Sequence, residues 1–284
     1  MHIKVRYLSV LSVIILLNIR GIPTRGGEDA KTQENKGTTE QQKEPEERKF
    51  AAGEETRIDV NDKDIGGDHF VVYVPSDYTD EHDWPVIFFY NGVGGGPSTK
   101  LFRKITEGEG FIIIGMEYVK ADKDKVTAAQ YSNILKREFK SIFKAKRYVS
   151  KRLKVDNERL FLTGFSRGGW HTAALIEQNA KPWAGAAIIA AGRRGVLPST
   201  TDGERFLRNK PIYIGTGEKD ENMDAAEEAR EYYRRRGADV TFEEYKGTGH
   251  MFKADSKILH DWLLINSADK RAENVQAGKR QKAD

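Results

Sequence analysis

The chain has 284 residues, enough for one large domain or two small ones, and its 38% hydrophobic and 32% charged content is uneven, apolar in the middle and polar at both ends. It contains no cysteine, which excludes disulfides, cysteine-ligated metal sites and thiol catalysis. The net charge of +4 resides in residues 1–25, which hold Lys4, Arg6, Arg20 and Arg25 and no acid; the remainder is charge-balanced and gives no ground for a nucleic-acid partner.

Residues 7–19 form an apolar run after a basic start, shorter than the ~20 residues that a membrane-spanning helix needs. Residues 1–25 therefore read as a secretory signal, with an uncleaved membrane tether through residues 7–19 as the alternative, and export to the periplasm, cell envelope or medium is expected. Residues 26–55 are polar and charged with almost no large apolar side chain, the composition of a disordered linker. A folded domain is expected over 56–266, followed by a disordered polar tail over 267–284.

Within the domain, residues 57–60 and 69–75 are short β-type runs joined by a turn-rich segment, an expected antiparallel hairpin. Residues 85–90 are apolar throughout, as a strand buried on both faces is, and run into Asn91-Gly92-Val93-Gly94-Gly95-Gly96-Pro97. Ser98 is placed to cap a short helix through Ile105, and residues 111–116 make another fully apolar strand. Tyr131, Leu135, Phe139, Ile142, Phe143, Val149 and Leu153 then recur at helical spacing, with a basic, solvated opposite face. Further strands are expected at 158–162, 184–191, 211–215 and 240–245, and helices at 170–176 and 225–236. A last amphipathic helix uses Phe252, Ile258, Leu259, Trp262, Leu263 and Ile265. Residues 192–210 form a short polar excursion with little material for a lid. This alternation predicts an α/β fold, a mostly parallel central sheet with helices on both faces.

Gly164-Phe165-Ser166-Arg167-Gly168 sits between a strand and a helix. A sharp strand-to-helix turn lifts its central side chain clear of the sheet, and glycines two residues either side keep neighbouring Cβ atoms out of the turn. A serine so placed is presented as a nucleophile at the positive end of the following helix. It needs a base, usually a histidine oriented by a carboxylate, and such groups lie at the carboxyl ends of parallel strands. His250, in the glycine-loosened loop after the last strand, is the candidate base; His260 lies inside the last helix and His171 in the serine's own helix. The loop after the preceding strand supplies Asp220 as the candidate acid, with Glu218 in reserve. The order Ser166, Asp220, His250 matches a Ser-Asp-His triad. Two backbone amides must hold the oxyanion: that of Arg167 and one from the glycine-rich loop, Val93 first and Gly94 next. That loop lacks the Lys-Ser/Thr of a phosphate-binding loop.

Over roughly residues 56–266 these motifs resemble the α/β-hydrolase superfamily, and most closely its compact secreted esterases, the polyhydroxybutyrate-depolymerase, feruloyl- and acetyl-xylan-esterase and dienelactone-hydrolase-like proteins. Asn91-Gly92-Val93-Gly94-Gly95 stands where the superfamily usually has His-Gly-x-Gly-Gly, with Asn91 as the departure. The resemblance implies the α/β-hydrolase fold without a large lid and hydrolysis of carboxylic esters through an acyl-serine, with no metal or cofactor. An open site would suit an ester on a small molecule, polymer or glycan. Gly168-Gly169 also resembles prolyl-oligopeptidase-like peptidases, which usually carry a second large domain, and a catalytically silent binding module is the third reading.

Overall fold

The structure, a computed structural model of the chain, describes residues 50–60, 68–119, 127–195 and 205–268. The expected leader, the linker up to residue 49, residues 196–204 of the polar excursion and the tail from residue 269 lie outside the described residues. Among the described residues eight strands are present: β1 (Glu55–Asp59), β2 (His69–Tyr73), β3 (Trp84–Tyr90), β4 (Ile112–Met116), β5 (Val155–Phe165), β6 (Gly185–Ile189), β7 (Pro211–Gly217) and β8 (Asp239–Tyr245). They make one sheet in the order β1-β2-β4-β3-β5-β6-β7-β8. β1 and β2 form the expected antiparallel hairpin, β2 pairs antiparallel with β4, and every pairing from β4 to β8 is parallel.

The helices include α1 (Lys100–Ile105), α2 (Ala128–Ser150), α3 (Arg167–Gln178), α4 (Met223–Arg235) and α5 (Lys257–Ser267). Side chains alternate across a strand, so β3 sends Val86, Phe88 and Tyr90 to one face and Ile87 and Phe89 to the other. The first set packs with Leu135, Ile142 and Val149 of α2, Leu175 and Ile176 of α3, and Ala226 and Ala229 of α4. The second packs with Phe102 and Ile105 of α1 and Leu259, Trp262 and Leu263 of α5. Helices thus cover both faces, and each fully buried aliphatic or phenyl side chain contributes about 2 kcal/mol relative to exposure.

Three local differences from the sequence reading have physical causes. β5 starts at Val155 rather than near 158, because the polar Asp156-Asn157-Glu158 still extends beside Trp84 before a register shift. α2 starts at Ala128, where Thr127 and Gln130 close a capping box. Of the apolar side chains of α5, only Leu259, Trp262 and Leu263 are buried, while Ile258, Leu264 and Ile265 face out. The chain also packs ahead of Thr56: Phe50 meets Tyr148 edge-on, and the Gly53 N–H donates to the Val74 carbonyl. Among the described residues no helix is long and apolar enough to cross a membrane.

Candidate active site

β5 turns into α3 at Ser166, whose φ of 54° and ψ of −118° lie outside the regions a side-chain-bearing residue normally occupies. The two motif glycines make the turn sterically feasible. A Cβ on Gly164 would sit 2.1 Å from the Gly168 carbonyl oxygen, and one on Gly168 would sit 2.0 Å from that of Tyr90. The Ser166 N–H donates to the Ile189 carbonyl of β6 at 2.8 Å, which ties the elbow to the neighbouring strand. Although Ser166 caps α3, its side chain makes no capping bond. Its hydroxyl donates instead to His250 Nε2 at 2.8 Å.

His250 arrives from the loop after β8, its ring tilted against Phe165 at 5.4 Å between centroids. Its Nδ1 lies 3.0 Å from both carboxylate oxygens of Asp220. An ionised carboxylate only accepts, so Nδ1 carries the proton and Nε2 is left as the acceptor facing Ser166. Asp220 is 5% exposed and accepts further bonds from the Asn222 N–H at 2.9 Å and the Thr216 hydroxyl at 3.4 Å. Asn222 Nδ2 also donates to the Ala190 carbonyl at 3.2 Å, anchoring the acid loop to the end of β6.

Glu218 occupies the same loop and does different work. It is exposed, accepts the Gly247 N–H at 2.7 Å, and is held below the usual carboxylate range by that bond and by Lys246. It clasps the acid loop to the histidine loop and does not reach the imidazole. His260 sits beside Asp261 on α5, and His171 points from α3 toward Glu138. Of the three histidines considered, only His250 meets the serine.

The glycine-rich loop after β3 runs past the nucleophile: a Cβ on Gly92 would lie 3.4 Å from the Ser166 Cβ. The Gly92 N–H is taken by Asn91 Oδ1 at 2.8 Å, and the Gly95 N–H closes a turn onto the Gly92 carbonyl at 3.1 Å. Among the described residues the amides of Val93 and Gly94 have no acceptor, nor does the amide of Arg167 in the first turn of α3. Val93 is 71% exposed and Gly94 takes a φ of 78°, which glycine tolerates without strain. Asn91, the departure from the superfamily pattern, braces the loop from within: its Nδ2 donates to the Gly96 carbonyl at 3.3 Å.

Sequence reasoning missed Asn222, Thr216 and Glu138. The first two lie in and just before the acid loop, but hydrogen bonding to a neighbouring carboxylate leaves no pattern in a single sequence. Glu138 did leave one, as a lone acid between Leu135 and Ile142 on the inward face of α2. Among the described residues no cluster of three His, Cys, Asp or Glu side chains is arranged to hold a metal ion. Chemically, the arrangement can deprotonate a hydroxyl at the strand end and offer unengaged amides to a developing negative charge.

Residues 70–280, well over half the chain, match the dienelactone hydrolase family model. No curated protein sequence matches the chain. Among solved structures, a thermostable esterase superposes with a TM-score of 0.53 at 16% identity over 77% of this chain, which spans 61% of that protein. Substrate-bound fluorophosphonate-binding serine hydrolase F of Staphylococcus aureus superposes at 0.56 with 14% identity, over 77% of this chain and 100% of that one. The CE1 ferulic acid esterase of the anaerobic fungus Anaeromyces mucronatus gives 0.51 at 14% identity, over 75% and 89%. At these identities the likeness carries the fold, an α/β-hydrolase sheet, and the family match carries the hydrolase assignment. With its strand-to-helix serine turn and its mostly parallel sheet, the chain belongs to the dienelactone hydrolase family.

Proposed function

We propose that this hydrolase is a serine carboxylesterase working through an acyl-serine intermediate, with Ser166 as nucleophile, His250 as general base and acid, and Asp220 as its orienting carboxylate. The observation that carries the reading is the hydrogen-bonded line Ser166 Oγ, His250 Nε2, His250 Nδ1, Asp220, at 2.8 Å and 3.0 Å. Ser166 attacks the ester carbonyl carbon as its proton passes to His250 Nε2. The oxyanion settles on the amides of Arg167 and of Val93 or Gly94. Collapse expels the alcohol, which takes the proton back from His250. A water molecule, deprotonated by the same imidazole, then attacks the acyl-serine, and the second tetrahedral intermediate collapses to the acid and free Ser166. Asp220 stays ionised throughout and stabilises the imidazolium that forms in each half-reaction.

The test is a fluorophosphonate probe on the wild type and on Ser166→Ala, followed by turnover of p-nitrophenyl esters of graded chain length against a peptide amide. Labelling is expected of the wild type alone, with ester hydrolysis exceeding amide hydrolysis and kcat falling by at least about 10⁴-fold in the variant. Labelling of both proteins, or of neither, sinks the mechanism; faster turnover of the amide sinks the esterase assignment.

A further inference from the structure

We infer that Glu138, acting through Tyr90 and Tyr118, is a positioning residue for the oxyanion loop, which rests on the carboxylesterase reading above. Glu138 belongs to α2, is buried completely, and contributes to neither the triad nor any exposed surface. A carboxylate taken out of water costs several kcal/mol unless fully partnered. The partners it has are informative. Its Oε2 accepts the Tyr90 hydroxyl at 2.9 Å, and its Oε1 accepts the Val119 N–H at 2.6 Å. His171 Nε2 lies 3.3 Å from the same Oε1.

Tyr90 is the last residue of β3, immediately before Asn91, where the oxyanion loop begins. Val119 directly follows Tyr118, whose hydroxyl donates to the Asn91 carbonyl. One carboxylate therefore anchors both the residue that launches the loop and the immediate neighbour of the residue that grips its first carbonyl. The rings of Tyr90, Tyr118 and His171 pack on one another, with centroids 4.9 to 5.3 Å apart, so the anchor is stiff. The Arg167 guanidinium lies 4.3 Å over the Tyr118 ring, which brings the second oxyanion donor's residue into the same assembly. Burial raises both phenols well above the ordinary tyrosine value, so each stays a donor at any working pH. Oxyanion donors act only when held to within about half an ångström of their place, and a glycine-rich loop supplies little stiffness of its own.

The experiment compares wild type, Glu138→Gln and Tyr118→Phe with Tyr213→Phe. The last removes a buried phenol from another tyrosine–glutamate pair, Tyr213 with Glu243 at 2.6 Å, on the other core. For each, kcat and KM are measured with a p-nitrophenyl ester, with inhibition by a boronic acid that mimics the tetrahedral oxyanion and the melting temperature alongside. Glu138→Gln and Tyr118→Phe are expected to lower kcat about 10- to 100-fold with KM within about threefold, and to weaken the boronate in proportion. Tyr213→Phe is expected to lower the melting temperature while keeping kcat. The inference is overturned if Tyr118→Phe and Glu138→Gln keep kcat within about threefold, or if kcat loss merely follows melting temperature across all three variants. Absence of both ester turnover and Ser166 labelling in the wild type removes the carboxylesterase reading and this inference together, an outcome distinct from an active wild type with indifferent variants.

Discussion

Asp220 and Glu218 are two residues apart at the end of the same strand, yet the backbone sends them to opposite tasks. The Asp220 N–H turns back onto the Gly217 carbonyl at 3.0 Å, which carries the side chain inward under the imidazole, while Glu218 faces the Gly247 amide. Asp220→Asn is therefore expected to lower kcat by about 10³- to 10⁴-fold, because an amide that donates to Nδ1 leaves the histidine in the wrong tautomer. Glu218→Gln keeps an acceptor for Gly247 and is expected to leave kcat within about threefold. Steady-state kinetics of the two variants separates them, and the reverse ranking moves the acid to Glu218. At this scale the serine and the histidine were legible in the sequence, the first from its flanking glycines and the second because, of the two histidines after the last strand, His250 lies in the glycine-loosened loop at its end and His260 inside the following helix. The acid was narrowed to one loop, with Asp220 placed first and Glu218 in reserve, and the separation of the two depends on one backbone turn. The candidate oxyanion donors were legible as a glycine-rich loop, whereas the engagement of the Gly92 amide by Asn91 appears only in three dimensions.

Among elements, α5 shows how a short helix is held in place. Ser256 is buried, accepts the Leu259 N–H at 3.0 Å as N-cap, and donates its own proton to Glu243. Glu243 in turn holds the Tyr213 hydroxyl at 2.6 Å and Lys253 at 3.2 Å, so helix start, β7 and β8 meet at one carboxylate. Ser256→Ala removes the cap and one donor to a buried charge, and is expected to cost about 1 to 3 kcal/mol of unfolding free energy in urea titration. Activity at a temperature well below the transition should be unchanged; a loss under about 0.5 kcal/mol would show that water or a rearranged side chain replaces the cap. The strands were the most legible elements, because β3, β4 and β6 are unbroken apolar runs that only a twice-covered sheet can bury. α5 was legible as a helix but not as a face: it is apolar on nearly every side, so periodicity could not say that Ile258 and Ile265 look outward. α2 was readable from its stripe, but a stripe counts apolar positions and passes over the acid lying within it.

Across the whole molecule, both cores are closed by buried phenols: Tyr90 and Tyr233 on one face, Tyr213 on the other, each raised well above the free value of 10.0 mainly by burial. Tyr90 and Tyr213 each donate to a buried carboxylate, and Tyr233 to Glu177 at 3.0 Å, so an ionised phenol would face a like charge as well as a dry environment. Below about pH 10 both folded and unfolded chains keep these protons, and the phenols' contribution to stability is fully present. Above it the unfolded chain releases them while the folded chain retains them, so the native state binds more protons and stability falls as pH rises. Each such tyrosine removes up to about 1.4 kcal/mol per pH unit, so three together remove up to about 4 kcal/mol per unit, a large share of a typical domain stability of about 5 to 15 kcal/mol. Urea midpoints should therefore be insensitive to these groups near neutrality and drop steeply above about pH 10, with tyrosinate absorbance of the buried phenols appearing together with loss of far-ultraviolet circular dichroism. Full tyrosine ionisation with the dichroism intact would mean that these hydroxyls reach solvent in the native protein. The polar pairs anchoring Tyr90 and Tyr213 would then lose their status as sealed supports of the sheet and of the loop above it.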